Sequence, residues 1–497
     1  MELKGIEVFD QEIKLKTTHT LNEGVRSPHS SDEVREMRME RRGRQSLDRV
    51  HHSPTGRSSG SSGSTVRTLE LNSWARIGLL AKKKEAVFSN LFCHINLENL
   101  RQAFRALDGS KAIGVDGISK AEYAKSLDKN LRELMHRLHN GTYRPQAKRE
   151  VLIPKASGKT RPIAISCFED KLVEWTLGKI LESAYEPIFI RNSFGFRPRR
   201  SADDAIKANY NILKDNKRPH VVEIDLAKFF NTVPHRTLMK LLRKRISDPR
   251  LLGLIARFLA VDVLDSKGVL AATEVGTPQG SVMSPILANI YLHYALDVWF
   301  LENFASQNAV IVRYADDALF MFSEEQKAQE FLTALKARLA EYKLSLNEDK
   351  TGIIDFTKGK ENVFHFLGFT FYWNHRKGWN KTSLVIKTQV DKVVKKIQEY
   401  TEWLKANRSR YTTKQIWSIT RAKLRGHYNY FGYFCNRSKL AHFYHGVTGA
   451  LFKWLNRRSQ RKSFSYAKFK QMLQREPLPL PPKQPALKQL GWSPYVK

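Results

Sequence analysis

The chain has 497 residues, 41% of them hydrophobic, and its 84 Lys and Arg against 49 Asp and Glu give a net charge of +35. The length exceeds what one core organises, so two or three folded units are expected, and the charge points to a polyanionic partner, nucleic acid before lipid. No run of about 18 apolar residues occurs, which excludes a helical bilayer span, and the acids Glu2, Glu7, Asp10 and Glu12, with no apolar stretch beside them, argue against a secretory or transit leader.

In chain order, residues 1–72 are polar and aperiodic. They contain the charged stretch Arg35–Arg44 and the Ser/Gly-rich stretch Ser53–Ser64. This composition predicts a disordered basic arm ending in a flexible linker, either a nucleic-acid tether or a leader without a role. Residues 86–106 then place Val87, Leu91, Ile95, Leu100 and Phe104 at helical spacing. Strands are predicted at Glu150–Pro154, His220–Leu226, Val310–Tyr314, Ala318–Phe322 and Thr351–Phe356. Helices are predicted at Glu169–Ala184, Ala202–Lys214, Pro234–Arg245, Pro249–Leu259, Ser284–Phe304 and Glu324–Tyr342. Strands and helices interleave without a regular βαβ rhythm, which predicts an α+β unit of antiparallel strands with helices on one side. From about Asp391 the chain reads as helical and increasingly basic, and Pro477–Pro485 predicts an extended tail. The expected division is an arm at 1–72, an α+β unit at 73–375, a helical unit at 376–475 and a Pro-rich tail at 476–497. Cys93, Cys167 and Cys435 lie too far apart for a disulfide framework or a CxxC zinc pair. Three buried thiols in a reducing compartment are expected.

The strongest local signal is VIVRYADDALFMF at Val310–Phe322, two apolar strands bracketing Asp316 and Asp317. Aspartates favour turns for their own sake, yet two side by side at a strand end also suit a hard cation. A third acid, Asp225, closes the apolar strand of VVEIDLAKFFNTV and precedes Phe229 and Phe230. If the strands pair, Asp225 faces Asp316, and carboxylates so gathered repel one another unless a cation lies between them. Oxygen ligands of this kind suit Mg²⁺, and two such ions about 4 Å apart clamp both oxygens of an in-line displacement.

Seven motifs in order give the chain a resemblance to the group II intron reverse transcriptase/maturase family. They are VLIPKASGKTRPIA at Val151–Ala164, FGFRP at Phe194–Pro198, Asp225 with its strand, TPQGSVMSP at Thr277–Pro285, YADD, LNEDKT at Leu346–Thr351, and FLG at Phe366–Gly368. The resemblance implies a right-hand polymerase, with α+β fingers and palm followed by an α-helical thumb or maturase domain. It implies an RNA-directed DNA polymerase that joins a primer 3′-hydroxyl to the dNTP α-phosphate, with Asp225, Asp316 and Asp317 holding two Mg²⁺ ions. It further implies that Lys155 and Arg161 grip the dNTP triphosphate, that Phe230 packs beneath the sugar, that Gln279 lies against the nucleotide and that Lys350 lies near the pyrophosphate. Phe366, Leu367 and Gly368 are the implied primer grip. Read without the family, the same residues are equally two solvated loop charges, a core phenylalanine, a turn and a surface lysine. Asn231, Cys167 and Ser281 depart from the commoner family residues, all outside the catalytic set.

Two further segments carry the expected RNA contacts. RAKLRGHYNYFGYF at Arg421–Phe434 interleaves cations with aromatic rings, and Lys453–Lys470 is dense in Lys and Arg with no acid. Phosphate contacts plus base stacking would suit such surfaces, and a solvated charged face over core aromatics is the plainer alternative. The expected RNA-binding residues are Arg197, Arg421, Arg425, Tyr428, Tyr430, Arg457, Arg458 and Arg461. The implied partners are group II intron RNA, an RNA template with its DNA primer, target DNA and dNTPs, with no membrane, in the cytoplasm of a bacterium near the nucleoid or in an organelle. Many family members end in an HNH nuclease with paired cysteines; Cys435 is the last cysteine here, so the form without that domain is expected. The alternatives are a splicing-only maturase with a vestigial polymerase site and a domesticated defence or CRISPR-associated reverse transcriptase.

Overall fold

The computed structural model describes residues 73–154, 160–265, 267–271, 275–277, 279–375, 382–458, 465–483 and 488–490. The expected arm at 1–72, Lys155 and Arg461 lie outside the described residues.

The first helices are α1 (Ser73–Leu80), α2 (Leu97–Ala106), α3 (Lys120–Ala124) and α4 (Leu127–His139). The helix expected through 86–106 is only half formed. The Asn96 side chain accepts from Asn99 N and starts α2 there, while Phe88 bridges to Ile246. An N-cap residue stops a helix from extending backwards whatever the apolar spacing before it. Next come β1 (Lys148–Pro154) and β2 (Thr160–Ile165), an antiparallel hairpin, then α5 (Phe168–Tyr185) and α6 (Ala202–Leu213).

The central sheet has the order β6-β7-β3-β8 and is antiparallel throughout. Its strands are β3 (His220–Ile224), β6 (Val310–Tyr314), β7 (Asp317–Phe322) and β8 (Gly352–Asp355). Between β3 and β6 lie α7 (Phe229–Thr232), α8 (His235–Leu242), α9 (Pro249–Leu259), the short strands β4 (Val263–Leu264) and β5 (Leu270–Ala271), α10 (Ser284–Leu292) and α11 (Val298–Asn303). The predicted helix Ser284–Phe304 is thus interrupted, because His293–Asp297 forms a π turn between α10 and α11. α12 (Glu325–Glu341) follows β7.

The central sheet is covered on both faces, not on one as expected. Val222, Ile224, Ile311, Ala318, Phe320 and Phe322 enter one core cluster, with α5, α8, α9, α10 and α12. Val221, Val312, Leu319 and Met321 enter a second. A strand buried on both faces reads as an unbroken apolar run, which is why the sequence at 318–322 shows no polar alternation.

A third sheet was not anticipated: β9 (Phe364–Phe366), β10 (Phe369–His375) and β11 (Thr382–Thr388), antiparallel in the order β11-β10-β9. The boundary expected between 375 and 376 therefore falls inside the β10–β11 hairpin. The helices α13 (Val390–Asn407), α14 (Thr413–Phe431), α15 (Arg437–Leu455) and α16 (Tyr466–Arg475) follow. Their buried residues, among them Val393, Trp417, Leu424, Phe443 and Leu451, join the same cluster as β9–β11 and the second face of the central sheet. The helical region shares a core with the central sheet rather than owning one. The tail folds back on α14: Trp417 Nε1 donates to Glu476 O, Tyr428 Oη to Pro479 O, and Leu478 and Leu490 are buried. Of the cysteines, Cys167 is buried but Cys93 is exposed. Among the described residues no helix is long and apolar enough to cross a membrane.

Candidate active site

β3 and β7 run antiparallel with Ile224 opposite Ala318, so the register brings Asp317, not Asp316 as expected, opposite Asp225; Asp316 falls in the turn, one residue further on. β6 and β7 form a hairpin whose last pair is Tyr314 with Asp317, leaving Ala315 and Asp316 as a two-residue turn. Ala315 adopts a left-handed backbone (φ +58°), which lets so short a connection follow the strand twist. Asp225 and Asp317 line one cavity of about 530 Å³ together with Lys350, Phe366, Leu367 and Gln389. Burial pushes the Tyr314 phenol up, and the Asp317 carboxylate adds to the effect.

Asp225 is held from the segment before β8. Asn347 N donates to Asp225 O at 2.8 Å, Asn347 Nδ2 to Asp225 Oδ2 at 2.9 Å, and Lys350 Nζ lies 3.3 Å from the same oxygen. Sequence reasoning passed over Asn347 as part of a motif; its value lies in this bond across 122 residues. Lys350 is 66% exposed and Asp225 29%, so their ion pair contributes no more than about 1 kcal/mol and yields readily to a stronger partner.

The expected primer-grip residues form the tip of the β9–β10 hairpin. Leu367 and Gly368 both have positive φ (+48° and +78°), the pattern of a tight two-residue turn. Gly368 O accepts from Gln389 N, which ties the tip to the start of α13. Phe366 and Leu367 are buried and line the cavity.

Phe230, Arg161 and Gln279 do not line that cavity; backbone hydrogen bonds tie together the segments that carry them. Phe230 is buried against Phe229 and Phe196. Its carbonyl accepts from Thr277 N at 2.7 Å, and Gln279 O accepts from Ala164 N at 2.7 Å. The loop carrying Gln279 thus bridges the Phe230 turn and β2, the strand of Arg161. Gly280 makes this possible. Its φ is +109°, and a Cβ there would stand 2.7 Å from Ala164 O.

FGFRP, singled out as a family signature, is a backbone fitting. Phe194 N donates to Arg313 O and Arg313 N to Asn192 O, at 2.8 and 2.9 Å. A Cβ on Gly195 would stand 2.3 Å from Ala315 N, so only glycine lets this segment lie against the acidic turn.

Several expected RNA contacts are spent within the fold. Arg197, its side chain 2% exposed, pairs with Glu186 and donates to Ile190 O and Ser193 O. Tyr428 is buried under the tail. Tyr430 Oη donates to Leu367 O and its ring stacks on Phe369. Arg458 donates to Thr413 Oγ1 and Tyr411 O, and Arg421 to Pro477 O beside Glu476. These side chains are paired with carbonyls, a hydroxyl and acids of the fold itself, which local composition does not reveal. Arg425 and Arg457 remain exposed. Arg425 lines a cavity of about 480 Å³ with Asn429, Gly432 and Lys488.

The donor chemistry of Asp225 and Asp317 fits a hard divalent cation. Among the described residues, however, no group of three or more potential ligands is already gathered, and the cation beside Asp225 is the Lys350 ammonium.

The family model described as "Reverse transcriptase (RNA-dependent DNA polymerase)" matches residues 153–371. Protein YkfC of Escherichia coli (strain K12) is 34% identical over 52% of this chain and 76% of its own length. The group II intron-encoded protein LtrA of Lactococcus lactis subsp. cremoris is 34% identical over 44% of this chain and 36% of its own. Among solved structures, a telomerase from Candida albicans aligns with a TM-score of 0.38 and 14% identity over 72% of this chain and 68% of that one, a likeness too distant to argue from. The chain belongs to the reverse transcriptase family, among the group II intron-encoded proteins, and its enzyme class is RNA-directed DNA polymerase.

Proposed function

We propose that the chain copies RNA into DNA at the cavity between Asp225 and Asp317, and that its helical region binds group II intron RNA to assist splicing and mobility. The observation that carries the polymerase reading is the convergence of four distant segments on one cavity: those of Asp225 and Asp317, the Lys350 loop and the Phe366–Leu367 hairpin tip. Asp225, Asp316 and Asp317 would hold two Mg²⁺ ions, which lower the pKa of a primer 3′-hydroxyl and neutralise the leaving pyrophosphate. Asn347 keeps the Asp225 carboxylate aimed at the cavity. Lys350 is exposed, only weakly paired with Asp225, and carries a proton at Nζ for the departing pyrophosphate. Phe366, Leu367 and Gly368 support the primer end. Lys155, Arg161 and Gln279 receive the dNTP, and the buried Phe230 forms the floor beneath its sugar.

For intron RNA, the support is the exposed cations Arg425 on α14, Lys453 on α15 and Arg457 just beyond it, together with the net charge. Target DNA is reached as part of the same ribonucleoprotein. The test is primer extension on an RNA template with Mg²⁺ and dNTPs, run beside Asp316→Ala/Asp317→Ala. Extension by wild type alone supports the reading. A folded wild type that binds intron RNA tightly but extends nothing replaces it with a splicing-only maturase.

A further inference from the structure

Behind the acidic turn lies a buried polar network with no part in the scheme above. Arg313 of β6 and Asp297 of the π turn are both 0% exposed. Arg313 Nε and one terminal nitrogen donate to the two carboxylate oxygens of Asp297 at 2.7 and 2.5 Å. The other terminal nitrogen donates to Asn289 Oδ1 at 3.0 Å and to Ala315 O at 2.9 Å. Asn289 in turn donates through Nδ2 to Gly195 O at 2.8 Å. One guanidinium therefore joins the helix behind the sheet, the FGFRP segment and the residue immediately before Asp316.

The π turn supplies the register. In a regular helix a residue eight positions beyond Asn289 points about 80° away from it. The wider π turn takes up roughly one residue's rotation of ~100° and returns Asp297 to the face of Asn289. Both then meet the same guanidinium. Stability alone does not account for the arrangement, since replacing a buried ion pair with well-packed apolar residues is often neutral or stabilising. What apolar residues lack is a donor for Ala315 O. That carbonyl belongs to a buried residue held at φ +58°, and αL backbone is costly for a residue with a Cβ.

We propose that Arg313, locked by Asp297 and Asn289, is the positioning residue of the acidic turn: its bond to Ala315 O fixes the left-handed residue that aims Asp316 and Asp317. The proposal rests on the reading of that turn as catalytic. Its test uses Arg313→Met/Asp297→Leu, which removes the anchor while filling the space, and Arg313→Lys, which keeps the charge but not the fork. Four quantities are measured on the full chain: melting temperature, amide hydrogen exchange of the peptide spanning the acidic turn, primer–template affinity, and kcat and KM for dNTP well below the melting temperature.

The double variant is expected to melt near wild type, to exchange faster at the turn, and to lose about tenfold or more in kcat, with primer–template affinity retained. Arg313→Lys is expected to fall between the two. Wild-type exchange and kcat in the folded double variant overturn the proposal. If that variant does not fold, wild-type exchange and kcat in Arg313→Lys overturn it instead. A wild type that extends no primer refutes the polymerase reading, and exchange at the turn still decides whether Arg313 anchors it.

Discussion

Replacing Gly195 by Ala tests the contact between FGFRP and the acidic turn. The added Cβ would lie 2.3 Å from Ala315 N and 3.0 Å from Ala315 Cα and Cβ. Carbon contacts are favourable near 3.5–4.0 Å, so the overlap exceeds about 1 Å. No flexible side-chain end can absorb it. Residue 195 is pinned by Asn289 on its carbonyl and by the Phe194–Arg313 bond beside it, and Ala315 by the β6–β7 hairpin. Overpacking of this kind costs about 1–3 kcal/mol, which for a folded unit of this size lowers the melting temperature by roughly 2–4 °C per kcal/mol or somewhat less. Because a shift of about 1 Å near reacting groups costs on the order of 100-fold, kcat for primer extension should fall 10- to 100-fold, by the same order-of-magnitude argument. Gly178→Ala is the control. It lies within α5 with nothing within 4 Å of its Cβ, and there Ala is favoured over Gly by about 1 kcal/mol. Thermal melts and primer extension on both variants decide the matter. Gly195→Ala with the melt and kcat of Gly178→Ala would refute the close approach.

Three other changes follow from the same geometry. Burial raises Asp170 to about 7, against hydrogen bonds from Tyr143 and Gln146 that lower it. The folded chain thus holds a proton that the unfolded chain releases near pH 4. Asp170's contribution to stability is full below that pH and is lost as pH rises to about 7. The melting temperature of wild type should therefore fall relative to Asp170→Asn across that window, and a constant difference contradicts the assignment. Arg197→Met should destabilise by about 3 kcal/mol, as expected for breaking a buried pair, without weakening RNA affinity per folded molecule in a binding titration; unchanged melting with lost RNA affinity would return Arg197 to the RNA surface. Gly280→Ala, strained by its φ and by Ala164 O, should raise KM for dNTP while leaving primer–template affinity unchanged, and an unaltered KM would separate this loop from nucleotide binding.

The β6–β7 hairpin was legible to within one residue, since Asp317 belongs to the strand and not to the turn, and α9 was legible to the residue. Apolar β-branched and aromatic runs bracket an Asp pair in the first, and Asp248 caps a helix with Pro at its first position in the second. The β10–β11 hairpin was missed because no strand was predicted between Phe364 and Thr388, where the strand pattern sits beside a basic helical stretch. The chain from about Asp391, expected to be helical, does form the helices α13 to α16, but Tyr428, Phe431 and Tyr433, offered for base stacking, are core, while Phe434 is exposed.

The sequence by itself determined most of the helices, the strands that flank the acidic turn, and the three acids with their order along the chain, because period and turn chemistry act over a few residues. Only the tertiary structure decided which cations face solvent. It also decided that Asn347 and Lys350 converge on Asp225, and that a π turn brings Asp297 to Arg313 behind the acidic turn. Those pairings join segments far apart in the chain, and burial on both faces of the central sheet selects them; no local pattern encodes which distant donor a buried carboxylate or carbonyl will meet.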